Sequence, residues 1–436
     1  MNQRFFIAIS MLFVFAACKN QTASITRSSD YEKYMHIPVT DSMRSLQRIK
    51  ADVDFWMQRL KKNPEDAVAK VSLAGLHGAR FKVTGNIDDI HTSDSLYLIA
   101  NDLFKINSSS LYKALATNCV TQHKFQQAKL YLDTALTMGD NKYLTLLMRC
   151  DVFIELGQLQ SAEQSLDLIE DKNDFDYLIR EAKILDHKGN LDEAVKKMEA
   201  ATQKAVESKR DVLYLWAKSN LADMYGHANR YKESYQCYLD VLQKQPDYLY
   251  ALKGIAWLAF SHDKNIAEAK RILNYISKLH PVPDYDLILA KIAAYENDKA
   301  TEEKLLNRYI TSVSDTRYGD MYNKYVFYLM IDKKKDQGKA LKIAEREVSN
   351  RPTPQSYDLL AWAYYNEGNK DEALTIAKNY VEKRNFEPDA LYHLGVIYAS
   401  EGDLSKAKHF LQKAEQSSFE LGPEMEKQIK AALENL

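Results

Sequence analysis

Between Leu391 and Ala414, small and apolar residues fall at Leu391, Leu394, Gly395 and Tyr398, then at Ala407, Leu411 and Ala414, with Gly402 between the two sets. The first set follows i, i+3, i+4, i+7 and so shares one face of a helix, and the second set does the same for another short helix. Gly402 stands where a tight turn calls for positive φ. Gly395 and Ala407 are small where two such helices must touch. A hairpin of this kind buries its apolar face only against copies of itself, and the chain supplies them.

Aligned on the small residue of the second helix, nine regular units are anchored at Ala128, Ala162, Ala194, Ser234, Ala269, Glu302, Ala340, Ala373 and Ala407, spaced 32 to 40 residues apart. Glu302 is the outlier, a long charged residue at a small-residue position. Leu221, Ala222, Tyr225, Ser234, Tyr238, Val241 and Pro246 repeat the outline, and Pro281 and Pro352 stand the same 12 residues past their anchors as Pro246 does. Proline there ends a second helix without disturbing the next element. Gly157, Gly189, Gly368 and Gly402 recur at the inter-helix turn. A first, irregular unit spans 65–107, with Leu73 and Ala74 on one helix, Leu96, Ala100 and Leu103 on the other, and a turn expected to be lengthened by Val83 to His91.

The outline is similar to the tetratricopeptide repeat, a helix-turn-helix of about 34 residues. The resemblance implies an all-α solenoid, a right-handed superhelix of about ten repeats over 65–422. Leu46, Ile49, Val53, Trp56 and Leu60 form one helical stripe within 41–64, an N-terminal capping helix closed by Asn63-Pro64. Met425, Ile429 and Leu433 share a face within 423–436, which suits a solvent-facing C-terminal cap. In the family the first helices line a concave groove that receives protein or peptide partners. Gln355, Asp358, Trp362, Tyr365 and Tyr392 fall on that face, so they are the candidate partner-binding residues, with Tyr295 as a further aromatic. Some members clamp a peptide carboxylate with Lys and Asn. Lys113 occupies a matching place, but Thr117 and Leu147 stand where polar partners would be needed.

Composition narrows the function. Of 436 residues 46% are hydrophobic, while 14 Gly and 9 Pro are too few for a loop-rich β-protein. Fifty-nine basic against 60 acidic side chains leave a net charge of −1, without the basic excess that nucleic-acid binding requires. Arg4 and the apolar run Phe5 to Ala17 make a secretory signal over 1–17, too short to span a bilayer. Phe15-Ala16-Ala17-Cys18 resembles the bacterial lipobox, which implies cleavage before Cys18 and lipidation of its thiol. Lys19, where an Asp would signal inner-membrane retention, favours the outer membrane, and the lack of an acidic export cluster favours its periplasmic side. Residues 18–40, rich in Asn, Gln, Ser and Thr, are expected to form a flexible tether of about 25–30 Å.

Motifs for zinc, nucleotide, calcium and nucleophile-elbow chemistry are absent from the sequence. Cys119 and Cys150 lie on adjacent first helices and Cys237 farther on; they read as small buried apolar residues, although the first two could pair in an oxidising compartment. His123, His187, His227 and His262 lie near inter-helix turns of four units, about a helix spacing of 8–10 Å apart, too far to share a metal ion. The expectation is a lipid-anchored envelope scaffold that binds protein partners, with no catalysis, cofactor or metal. The rival is a glycan-binding nutrient-uptake lipoprotein, which needs long inserted loops and has room for them only at Val83 to His91.

Overall fold

The computed structural model describes residues 24–36, 41–104, 108–139, 141–332 and 336–436. Among them, twenty helices pair into ten hairpins. Unit 1 joins Ala67–Thr84 to Ile87–Phe104, unit 2 Ser109–Thr121 to Phe125–Thr137, unit 3 Lys142–Glu155 to Leu159–Asp167, unit 4 Phe175–His187 to Leu191–Glu207, and unit 5 Asp211–His227 to Tyr231–Lys244. Unit 6 joins Leu249–Trp257, continued by a π turn at Leu258–His262, to Ile266–Leu279. Unit 7 pairs Asp284–Tyr295 with Lys299–Ser312, and unit 8 pairs Asn323–Asp332 with Gln337–Asn350. Unit 9 joins Pro354–Asn366 to Lys370–Ile376, extended by a second π turn to Val381, and unit 10 joins Pro388–Ser400 to Leu404–Gln416.

Eight of the described turns share one geometry. His123, Gly157, Gly189, Asn229, Lys264, Asn297, Gly368 and Gly402 all have positive φ, and each stands two residues ahead of its second helix. The anchor residue is the fourth of every second helix in units 2 to 10. Ala128, Ala162, Ala194, Ala269, Ala340, Ala373 and Ala407 are fully buried there. Crossings are close: a Cβ on Gly395 would fall 2.6 Å from Leu411, and one on Gly254 would fall 2.2 Å from the Tyr238 ring. The helix Asp41–Lys62 packs on Ala67–Thr84. Unit 1 corrects the expected long turn. Asp66 caps its first helix by accepting from the Ala69 amide, Gly85 (φ 67°) ends it, and the chain is helical again from Ile87, so Val83 to His91 is not a loop.

The array closes on itself after about six units. The turn of unit 1 meets the chain around units 6 to 8: Tyr318 donates to Gly85 O at 3.0 Å, His280 bonds Val83 O at 2.7 Å, and Tyr318 and Met321 cover Phe81, Ile87 and Ile90. From unit 2, Gln126 reaches Asn350 O, while Asn350 donates to His123 O at 2.9 Å. Gly157 of unit 3 lies against Pro352 and Thr353, Gly189 of unit 4 against the Phe386 ring, and Gly226 of unit 5 against Phe419. Trp257 and Ser261 both donate to Phe419 O, at 3.2 and 2.6 Å. The C-terminal helix Pro423–Glu434 therefore does more than cap. It packs on Leu404–Gln416 and also on Asp284–Tyr295, and Lys264 of unit 6 pairs with Glu426 at 2.7 Å.

The second correction concerns the tether. Residues 18–23 and 37–40 lie outside the described residues, but Ser24 to His36 lie docked across the second helices of units 5 and 6. Tyr31 is fully buried, and Tyr34 and Met35 nearly so, in the same core as Val241, Ile272 and Ile276. These apolar side chains have no helical period in the sequence, because they serve a short helix Ser28–Tyr31, a 3-10 turn Glu32–His36 and an extended entry rather than one helix face. Among the described residues, no helix is long and apolar enough to cross a membrane.

Two glycine substitutions separate turn geometry from closure. Gly402 (φ 79°) has open space around it, so Gly402→Ala should cost only the left-handed penalty, about 1–2 kcal/mol. Gly189 (φ 75°) would also drive its Cβ to 2.7 Å from the Phe386 ring. Chemical denaturation should show a larger loss for Gly189→Ala than for Gly402→Ala, and the excess should vanish in a Phe386→Ala background.

Candidate functional site

On the first helices of units 8 to 10 the side chains fall into a buried cluster and a reachable rim. The cluster lies on units 8 to 10. His393 Nδ1 sits 2.9 Å from Asp358 Oδ2, and the Trp362 ring stacks on His393 at 4.2 Å and on Tyr365 at 5.0 Å. Tyr392 meets Trp362 edge-on at 6.0 Å. Beside them Lys324 pairs with Asp389 at 3.1 Å and the Tyr328 hydroxyl donates to Asp389 at 2.9 Å. Burial opposes the charge on Asp389, but Lys324 and the neighbouring donors bring its carboxyl down to about 2. Asp358 moves the other way, raised by burial despite His393. Between these groups is a cavity of about 20 Å³, room for a single water, lined by Tyr328, Gln355, Ser356, Asp358 and Asp389.

The five candidate residues are thus brought to one place but not to one environment. Asp358 and Trp362 are 3% and 8% exposed and belong to the core, so neither offers a partner a contact as the chain stands. Gln355, Tyr365 and Tyr392 are half-buried and remain reachable. Tyr295 carries Lys427 over its ring at 4.1 Å, so the C-terminal helix has taken that aromatic.

The rim was not legible as a group. Asp186 ends the first helix of unit 4, Glu387 precedes unit 10 and Glu420 follows it, yet closure brings their charges within mutual influence. Burial raises Glu387 to about 7, with Asp389 adding to the effect and Lys324 opposing it. Burial raises Glu420 to about 8, reinforced by Glu387, Asp186 and Asp389. His227 Nδ1 lies 3.8 Å from Glu420, and burial lowers its pKa, as it does for His187. His123 is explained by the backbone, since it fills the left-handed turn position of unit 2. Cys119, Cys150 and Cys237 are buried free thiols, pushed by burial to about 12, 12 and 11. Cys18 lies outside the described residues. Among the described residues no three His, Cys, Asp or Glu side chains are grouped to hold a metal ion.

Residues 359–419, from within the first helix of unit 9 to just past unit 10, match the family model for the tetratricopeptide repeat (TPR). Those residues carry the tetratricopeptide repeat, and the helix pairs before them repeat its hairpin. Solved structures similar to it include a TPR protein from Parabacteroides merdae, at 17% identity over 67% of this chain and 98% of that one, with a TM-score of 0.33. The human IFIT1 dimer with PPP-AAAA matches at 13% identity over 88% and 92%, with a TM-score of 0.43. Yeast Tom70 matches at 14% over 85% and 95%, with a TM-score of 0.31. No curated protein matches the chain.

The rim carboxyls make stability depend on pH. Glu387 and Glu420 have folded pKa values above the ordinary 4.5, so the folded chain holds their protons more tightly than the unfolded one. Their contribution is complete below about pH 4.5 and is lost as pH rises through about 7 and 8. Thermal melts of the Glu387→Gln, Glu420→Gln double variant should match wild type near pH 4 and exceed it above pH 8, giving a flatter profile.

Proposed function

We propose that this chain is a lipid-anchored envelope protein whose TPR array holds a protein partner without catalysing a reaction. The observation that carries the partner reading is the inner face itself. Units 4, 5 and 10, far apart in sequence, meet around Glu420, which lies 3.8 Å from His227 and feels the charges of Asp186, Glu387 and Asp389, while Gln355, Tyr365 and Tyr392 on units 9 and 10 stay half-buried and reachable. Aromatic area beside polar handles on a rigid frame is what an interface core uses. The Asp358–His393 pair does not argue for an enzyme. Both side chains are buried under Trp362, and the cavity next to them admits one water and no substrate. The glycan-binding reading loses its support, because the stretch Val83 to His91 that would hold an inserted loop is taken up by helix ends and a two-residue turn.

The anchor is supported by the signal-like run Phe5 to Ala17 and by Phe15-Ala16-Ala17-Cys18. With Lys19 next to the cysteine, the reading places the protein in the outer membrane on its periplasmic side. Mass spectrometry of the mature chain should find Cys18 first and acylated. An unmodified N-terminus at another residue would remove the anchor.

For the partner face, Tyr365→Ala with Tyr392→Ala should weaken binding of a partner identified from solubilised membranes by about 2 kcal/mol, roughly thirtyfold, if the two are hot spots. Helical content should stay unchanged. Trp362 is unsuitable for the test because it supports the core. Equal affinity of wild type and double variant would take this face out of the reading.

A further inference from the structure

The docked segment Ser24–His36 bears on how the body sits relative to a membrane. Its start is fixed by one carboxylate. Asp263, in the turn of unit 6 and with its side chain fully enclosed, accepts from Ser24 Oγ, the Ile25 amide and the Thr26 amide, each at 2.9 Å, and from Thr26 Oγ1 at 2.6 Å. Burial opposes its charge, yet His262 and the Ile25 and Thr26 donors hold the carboxyl well below the usual range. Farther along, Tyr235 accepts from the Arg27 amide at 3.1 Å and donates to Asp30. Arg271 bridges Glu32 and Glu268, and Glu268 also accepts from the Tyr31 hydroxyl.

We infer that units 5 and 6, with the docked segment across them, form the face of the protein that lies against the bilayer carrying its anchor. The inference rests on the lipidated Cys18 proposed above. A free chain from Cys18 to Asp41 would reach about 80 Å when extended, whereas docking at Ser24 leaves six residue steps, about 20 Å at most, or roughly one helix length of this fold. The body is therefore held close, and turned so that the Asp263 end of unit 6 faces the lipid. Charge agrees: on the docked segment Arg27 and Lys33 are exposed, while Asp30 and Glu32 are engaged by Tyr235 and Arg271. Cationic side chains are the ones an anionic lipid surface attracts.

The test uses the full acylated chain in phosphatidylethanolamine–phosphatidylglycerol vesicles that carry a headgroup energy acceptor. A donor is placed on Lys232→Cys, on the second helix of unit 5, where the exposed new thiol labels ahead of the three buried ones. Two further chains are compared. One carries twenty Gly and Ser residues inserted after Thr22, which lengthens the reach and leaves the docked segment intact. The other carries Asp263→Ala with Arg271→Ala, which frees the segment. Energy transfer should fall at least twofold in both. Equal transfer in the lengthened chain and wild type would overturn the inference, even if the Asp263→Ala, Arg271→Ala chain failed to fold. Hydrogen exchange in soluble Cys18→Ser protein reports docking without a membrane. Fast exchange from Ile25 to Met35 would overturn the inference while leaving the anchor standing, whereas an unacylated Cys18 would remove the anchor and this orientation with it.

Discussion

The geometry of this chain depends on one backbone constraint: every described turn of units 2 to 7, 9 and 10 passes through a left-handed residue placed two positions before the second helix. Glycine fills that place in four units, while His123, Asn229, Lys264 and Asn297 fill it in four others. A non-glycine residue there costs about 1–2 kcal/mol, so packing must impose the conformation in those units. With the turn fixed, the fourth residue of the second helix always meets the first helix, and an alanine there sets how closely the two approach. Ser234 and Glu302 are the exceptions. Repeating one turn and one crossing gives each unit nearly the same rotation relative to its neighbour, and the summed rotation brings unit 2 to the end of unit 8 and unit 5 to the end of unit 10.

Much of this was legible because it is local. The anchors from Ala128 to Ala407, the turn glycines and the prolines at 246, 281 and 352 report contacts within one hairpin or between neighbours, and spacing alone exposes such contacts. The closure was not legible. Gly226 against Phe419 or Gly189 against Phe386 joins residues whose meeting depends on small rotations accumulated over several units. The docked segment failed for a related reason. Asn, Gln, Ser and Thr without an apolar period look unstructured, but Ser24 and Thr26 are polar because they bond Asp263, more than two hundred residues away. Unit 1 was misread at Val83 to His91, where a sequence of mixed polarity conceals two helices joined through Gly85.

Closure also changes what the inner face is. In an open solenoid Trp362 and Asp358 would stand in the groove with tyrosines beside them. In this fold His393 crosses from unit 10 to pair with Asp358 and stack under Trp362, so the most aromatic stretch of the face becomes core. What stays reachable on units 9 and 10 is Gln355, Tyr365 and Tyr392. Burial raises the pKa values of Glu387 and Glu420, and repulsion from Asp186 and Asp389 adds to it.

Repeat arrays are ordinarily quasi-one-dimensional, each unit touching only its neighbours, so that ends fray and segments fold with some independence. Contacts between unit i and the chain about six units on break that rule. Loss of unit 10 exposes Gly226 and Trp257 in units 5 and 6, and loss of unit 2 strips Asn350 of its partner His123. The N-terminal segment adds a further tie, because Asp263 and Tyr235 join residues 24–30 to units 5 and 6, the same region that receives the C-terminus. Both ends of the described residues are thus fastened to the middle of the array. A solenoid tied in this way resists end fraying, and Tyr365 and Tyr392, both packed on the Trp362 ring, are ordered by the core beneath them.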